Sequence, residues 1–403
     1  MAVHVEKAGR EHESGAFAQF VHSESAGSVA LLAASVMALV WANSPWAGGY
    51  FHLAHVPLAV SAGGSSFALS IQHWVNDLLM ALFFFVVGLE IKRELVVGEL
   101  STPQKATLPA LAAIGGLLLP AGIYALVNTG GPGSSGWGVP MATDIAFALG
   151  VVSAFGNRVP AGLKVFLAAL AIADDLGAVV VIAVFYTETI RPAAIAVAAI
   201  GVVLLAIAAN TRVKNIGVYV LLWLLVWIAV TASNLHPTLA GVLTAFAIPV
   251  RSSNDTPAMG QTLEANLHPV VAFGVLPLFA FFNAGVTIDA ATVREVAGPV
   301  GSGILLGLVI GKQVGIMVCS RLAVALGRAA LPDGVTWTQI YGVACLAGIG
   351  FTMSLFVTDL AFVSDALAAQ AKTAILLASI VAAVWGAAVL RLATPSQTPA
   401  GRR

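Results

Sequence analysis

The sequence predicts an all-α membrane protein with about twelve transmembrane helices, each of roughly 20 mostly apolar residues. Three observations carry that reading. Of 403 residues, 59% are hydrophobic. Only 9% are Asp, Glu, Lys or Arg, against roughly 25% in soluble domains, too few to coat a soluble chain of this length. The apolar residues also fall in long blocks with short connections between them, which makes one bundle rather than several domains. A net charge of zero gives no reason to expect nucleic acid as a partner. The lipid bilayer is the expected surrounding.

In chain order, residues 1–26 are polar and of mixed charge, and read as a cytoplasmic N-terminus. They lack the basic start, apolar run and small-residue cleavage site of a signal peptide. The bundle covers 27–392, with apolar segments at 27–44, 72–91, 107–127, 137–156, 161–186, 192–209, 216–234, 237–250, 268–287, 300–320, 338–361 and 368–391. The segment 237–250 is short and begins with Pro237, as suits a helix buried among neighbours. Residues 45–70 form an extracytoplasmic loop without Lys or Arg. Its runs Phe51–Val60 and Ser66–Trp74 partly alternate and are joined by Ser61-Ala62-Gly63-Gly64, a pattern of a β-hairpin or, equally, of an irregular loop. Residues 393–403 read as a cytoplasmic tail. Cys319 and Cys345 lie in apolar segments and are expected to be buried thiols without a disulfide or metal role.

Orientation follows from the basic residues. With the N-terminus inside, the inner loops hold 15 of the 19, and Arg191, Arg294 and Lys372 lie outside. The positive-inside rule selects this arrangement, with an even span count and both termini cytoplasmic. The remaining basic residue, Lys312, lies inside a span.

Asp77, Asp144, Asp174 and Asp175 are the acids read as intramembrane. An Asp or Lys at a helix centre opposes insertion by about 2.5–3.5 kcal/mol. Asp174 and Asp175 are adjacent within the apolar run ALAIADDLGAVVVIAVF, residues 169–185. Such groups mark ion or proton pathways by default. Carboxylate oxygens are hard ligands for a small cation, and the same oxygens take a proton instead. Burial and a like-charged neighbour both favour the protonated form of a carboxyl group, so proton and cation compete for one site. Neighbouring residues point about 100° apart on a helix. One acid therefore faces the ion path while the other faces a partner, for which Lys312 is the candidate.

Two spans read as interrupted. The fourth carries Gly136-Trp137-Gly138-Val139-Pro140-Met141-Ala142-Thr143-Asp144, and Thr143 and Asp144 are good N-cap residues. The eleventh carries Gly348-Ile349-Gly350. Broken spans in corresponding positions of two halves point to a midplane transport site, and spans 3–5 and 10–12 are the natural halves. Asp144 is then expected to balance positive half-helix N-termini, and Lys312 the negative C-termini. Gly303, Gly307, Gly311 and Gly315 form a stripe that permits close helix approach.

Several longer motifs occur in fixed order. They are Trp74-Val75-Asn76-Asp77 running into Val87-Gly88-Leu89-Glu90-Ile91-Lys92-Arg93-Glu94-Leu95; Ala142-Thr143-Asp144-Ile145-Ala146-Phe147; Ala173-Asp174-Asp175-Leu176-Gly177; His236 with Thr238-Leu239-Ala240-Gly241; Leu276-Pro277-Leu278-Phe279-Ala280-Phe281 with Asn283-Ala284-Gly285-Val286; Ile310-Gly311-Lys312; and Gly348-Ile349-Gly350-Phe351-Thr352-Met353-Ser354. Across nearly its whole length the chain resembles the NhaA family of bacterial Na+/H+ antiporters. That resemblance implies inverted repeats with two interrupted helices crossing at midplane, a general design of secondary transporters of which this family is an example.

The resemblance implies electrogenic exchange of cytoplasmic Na+ or Li+ for more than one external proton, alternating access, activation at alkaline pH, and a role in Na+ and pH homeostasis. Asp174 and Asp175 would hold Na+, Li+ or protons, with Asp175 the more exposed ligand. Lys312 would pair with Asp174, and Thr143 and Asp144 would sit at the crossing. The family's pH-sensing mouth maps onto Glu90, Arg93, Glu94, Glu264 and His268. Glu90 and Glu94 are spaced i, i+4, as are Glu264 and His268, so each pair shares a helix face. Ala265 replaces a second histidine of some relatives, which puts the pH profile in doubt. Asp77 and His236 remain as other polar groups, His236 most simply as a polar cap. The 45–70 loop would form the family's dimerising hairpin, giving a homodimer in the bacterial inner membrane. Neither a cofactor nor an enzymatic activity is expected.

Three other readings fit less well. An intramembrane aspartyl protease needs acids that converge from different helices, whereas Asp174 and Asp175 diverge; Asp144 with Asp175 remains open. A cation channel would repeat acids or carbonyl filters by symmetry. The nearest alternative, a Na+-coupled symporter of a small organic solute, needs hydrogen-bonding side chains at the breaks beyond those seen.

Overall fold

The computed structural model describes residues 26–62, 65–98, 100–186, 191–211, 213, 215–251 and 258–394. The N-terminal segment 1–25 and the tail 395–403 lie outside the described residues. So do Lys7, Arg10, Arg212, Lys214, Arg402 and Arg403 of the charge count.

Helix α1 (Ala26–Ala42) turns by 116° into α2 (Ala47–His55). The hairpin follows, with β1 (Pro57–Ala62) antiparallel to β2 (Ser65–Ser70) and Pro57 opposite Ser70. Phe51–His55, grouped by its alternation with the first strand, is helical instead. Tertiary anchoring decides this. The Tyr50 hydroxyl donates to the Phe281 carbonyl at 2.6 Å, and its ring lies 5.6 Å from that of Phe281.

The long helices are α3 (Ile71–Val96), α4 (Pro103–Val127), α7 (Ala161–Phe185), α8 (Pro192–Asn210), α11 (Met259–Asn283), α13 (Pro299–Ala325) and α16 (Asp365–Ala393). The fourth span is the 3-10 half-helix α5 (Ser134–Met141) followed by α6 (Ile145–Ser153). The eleventh is α14 (Trp337–Leu346) followed, at 45°, by α15 (Phe351–Ala361). Helices α9 (Ile216–Ala232) and α10 (Leu239–Ala247) precede α11, and the short α12 (Ala290–Glu295) precedes α13. Among the described residues, eight helices are long and apolar enough to cross a membrane, and ten if each bent pair counts once. The other two of the twelve expected segments are α9, with 17 residues, and α10, with nine. Both expected interruptions are present, the fourth span breaking at 142–144 and the eleventh at 347–350.

Helices α4 and α13 run antiparallel in close contact. The glycine stripe faces α4: a side chain at Gly315 would meet the Gly115 carbonyl, and one at Gly311 would meet Pro120. Close backbone approach of this kind needs small residues, and it sets Lys312 between α4 and the broken fourth span. Single π-turns interrupt α3 at Val75–Leu79, α11 at Val271–Val275 and α13 at Gly307–Gly311. Such turns concentrate at functional positions, and the last one ends directly before Lys312. Both cysteines are free. Cys345 is buried, but Cys319 is half-buried rather than buried as expected.

Candidate ion-binding site at the helix crossing

The two broken spans cross with their breaks in contact. The Asp144 amide donates to the Ile349 carbonyl at 2.7 Å. Asp144 is the N-cap of α6, its Oδ1 accepting from the Phe147 amide at 3.0 Å. Its Oδ2 accepts from the Thr352 amide at 3.1 Å and the Thr352 hydroxyl at 2.5 Å, in the first turn of α15. One carboxylate thus serves the N-termini of two half-helices, where the backbone presents unpaired N–H groups and a partial positive charge.

The opposite partial charge is met by Lys312. Its ammonium donates to the Met141 carbonyl, the last residue of α5, and to Asp174 Oδ2 at 2.7 Å. Both side chains of this ion pair are fully buried. The Thr143 hydroxyl lies 2.7 Å from the same Asp174 oxygen and 2.8 Å from the Ala347 carbonyl. A hydroxyl has one proton to give and two lone pairs. Thr143 therefore reads the protonation of Asp174, donating to it when ionised and free to accept from it when protonated.

Asp174 Oδ1 is buried and has no hydrogen-bond partner among the described residues. An unpaired buried carboxylate oxygen is expensive to maintain, and it is the group that a small cation would satisfy. Asp175 is set about 100° round α7 from Asp174. It is slightly more exposed than Asp174, 3% against 0%. The charges around it are those of Asp174, Glu90, Asp144 and Lys312. Asp144 has both oxygens committed to half-helix amides, which argues against a proton-sharing protease dyad with Asp175.

The Na+/H+ antiporter 1 family matches residues 18–390. The chain belongs to that family. Relatives named Na+/H+ antiporter NhaA include one from Albidiferax ferrireducens, 47% identical over 92% of this chain and 96% of its own length. Another, from Pseudomonas putida, is 48% identical over 94% and 97%. A third, from Shewanella loihica, is 46% identical over 92% and 95%. The chain is thus a multi-pass membrane protein of an antiporter family, and the family's name is that of a transporter rather than an enzyme.

Within this antiporter fold, Thr143, Asp144, Asp174, Asp175 and Lys312 come together at the crossing. The second expected group also assembles, toward the end of α3 remote from the hairpin. Arg93 Nε donates to Glu264 Oε1 at 3.0 Å, and Arg93 Nη1 lies 2.6 Å from Glu94 Oε1. Glu90 also interacts electrostatically with Arg93, and His268 with Glu264. The charge of Glu90 also acts on Asp175, which couples this group electrostatically to the crossing. Lys92 caps the C-terminus of α10, donating to Phe246 and Ile248 carbonyls at 2.7 and 2.5 Å.

Asp77 and His236 are not brought to the crossing. Asp77 lies in the π-turn near the hairpin end of α3, where Trp227 donates to its carbonyl at 3.4 Å. His236 bonds Thr238 at 2.7 Å. Sequence reasoning missed Thr352, the Met141 and Ala347 carbonyls, and Asp359, whose carboxylate pairs with Lys372 at 2.7 Å. Asp359 lies inside the apolar segment 338–361 and carried the same warning as the other acids. The carbonyls carried none, since every residue has one.

Proposed function

We propose that the protein exchanges cytoplasmic Na+ or Li+ for external protons across the bacterial inner membrane, with Asp174 and Asp175 as the shared proton and cation site. The observation that carries this reading is the buried Asp174, whose one oxygen is held by Lys312 and Thr143 while the other lacks a partner. In the ionised state, Asp174 pairs with Lys312. A cation that takes its oxygens releases Lys312 from them, and the ammonium keeps the Met141 carbonyl. A proton on Asp174 likewise weakens the pair. Asp175, on which the charge of Glu90 acts, is the first carboxylate a cation meets from the Arg93 end. Asp144 stays in its cap and holds the half-helices together through both states.

The positive-inside count puts the Arg93 end in the cytoplasm, with both termini there and the hairpin outside. In this orientation Glu90, Arg93, Glu94, Glu264 and His268 line the cytoplasmic approach, and their shared charge network is the pH-responsive element that activates exchange at alkaline pH. More than one proton per cation makes the exchange electrogenic. The paired β1–β2 edge is the surface through which two copies form a homodimer.

The test is Na+-driven proton movement in proteoliposomes, read with an internal pH dye at neutral and alkaline pH, with membrane potential clamped and then free. Wild type responds, most strongly at alkaline pH and differently under the clamp, while Asp175→Asn does not. A folded wild type without response at either pH overturns the exchange reading in favour of solute symport.

A further inference from the structure

The first amides of a helix have no partner within it and are met by a side chain at the N-cap or by another element. Helix α15 cannot supply its own. Its N-cap is Gly350, and a side chain there would meet Ser354 Oγ and Leu308. Both caps therefore come from elsewhere in the bundle. The Thr352 amide goes to Asp144 Oδ2, as described above. The Phe351 amide donates to Ser379 Oγ at 3.2 Å. Ser379 is buried in the middle of α16. Hydroxyls inside helices commonly bond back to their own preceding turn, as Thr373 of α16 does to the Ala369 carbonyl at 2.9 Å. Ser379, later in the same helix, turns to α15 instead. A side chain at Gly348 would meet Ala382, one turn on from Ser379, so this face of α16 runs along the eleventh break. The Phe351 ring in turn lies 5.1 Å from that of Phe147, edge to face, which joins the first turns of the two half-helices.

We propose that Ser379 is a positioning residue for the cation site, which by accepting the Phe351 amide keeps Asp144 divided between α6 and α15 and so holds Thr143 against Asp174. The inference rests on the exchange reading. A carboxylate is a stronger acceptor than a hydroxyl. Without Ser379, the Phe351 amide has the neighbouring Asp144 carboxylate as the acceptor to turn to. Asp144 is then drawn toward α15, away from the Phe147 amide that its Oδ1 now accepts. Thr143 precedes Asp144 in the chain and bonds both Asp174 Oδ2 and the Ala347 carbonyl, so the shift reaches the oxygens that hold the cation. Binding constellations tolerate displacements of only about 0.5 Å. Ser379 touches none of the cation oxygens itself. It acts through Asp144 and Thr143.

The test varies the Na+ concentration driving proton movement in proteoliposomes at alkaline pH. Ser379→Ala raises the Na+ concentration for half-maximal rate several-fold and keeps the maximal rate per folded protein. Ser379→Thr, which retains the hydroxyl, returns the value toward wild type. Ser379→Cys, whose thiol is a weak acceptor, shifts it in the same direction as Ala and guards against an Ala variant that does not fold. A lower melting midpoint in these variants with an unchanged half-maximal Na+ concentration makes Ser379 a structural cap alone and overturns the proposal. A second readout does not need transport. A cation that binds only the folded protein raises its melting midpoint, and in detergent the Na+ concentration giving half of that rise increases in Ser379→Ala. An equal requirement in wild type and variant overturns the positioning role. A wild type that is stabilised by Na+ but moves no protons would instead sink the exchange reading, with Ser379 still judged by the melt.

Discussion

The two ends of the bundle are built from different chemistry. The Arg93 end holds a network of Arg93, Glu94 and Glu264, joined by charge-assisted bonds. Toward the hairpin end lie the packed rings of Phe84, Phe279 and Phe356 and then the amides around Asp359. Charged groups that keep partial access to water hold a route open to ions. Packed rings exclude ions until they move apart. The difference teaches that one end is bounded by charged groups with partial access to water and the other by packed rings and amides.

The largest effect tests where the ionisable route ends. Asp175→Asn should fold and insert normally yet lose Na+-driven proton movement; exchange near the wild-type rate would remove the pair from the mechanism. Next comes the crossing. Lys312→Ala leaves Asp174 buried without its ion pair, and breaking such a pair destabilises by about 3–5 kcal/mol. A thermal melt in detergent should show a clear drop, and an unchanged midpoint would refute the pairing. Smaller is the hairpin end, where Asn76→Leu strands one oxygen of Asp359 and the amide of Asn283. The expected loss is about 1–3 kcal/mol, read in the same melt. If the midpoint does not fall, the comparison between the ends fails.

The smallest effect sharpens the contrast. Glu264→Gln removes a partner from Arg93, whose side chain is 30% exposed, and partly exposed pairs contribute only about 0–1 kcal/mol. Its stability loss should shrink as salt is added, because exposed charges are screened, while that of Lys312→Ala should not. The pH profile of exchange should shift in Glu264→Gln with the maximal rate retained. A proportional loss of rate at every pH would place Glu264 in the ion path rather than in the responsive network.

The Asp174–Asp175 pair and the two breaks were legible because their signals are local. An acid in an apolar run, or Gly and Asp at a span centre, violates the composition that lipid demands. Glu90 with Glu94 and Glu264 with His268 were legible through helical spacing, which puts each pair on one face. The helical Phe51–His55 was not, because a partly alternating run of five residues also fits a helix, and Tyr50 settled the matter through Phe281, more than 200 residues away.

By itself, the sequence determined the membrane class, the number and order of the apolar segments, the places where two of them break, and which residues carry charge where lipid opposes it. Those follow from composition and periodicity, which act over a few turns of chain. Only the tertiary structure decided that Asp144 caps two helices at once, that Lys312 divides its protons between Asp174 and the Met141 carbonyl, and that Asp359 joins Asn76 to Lys372. Each of those bonds closes a loop of tens to hundreds of residues. Several of their partners, the Met141 carbonyl, the Thr352 amide and the Asn76 side chain, are groups that many stretches of chain offer, so only the packed bundle could select them.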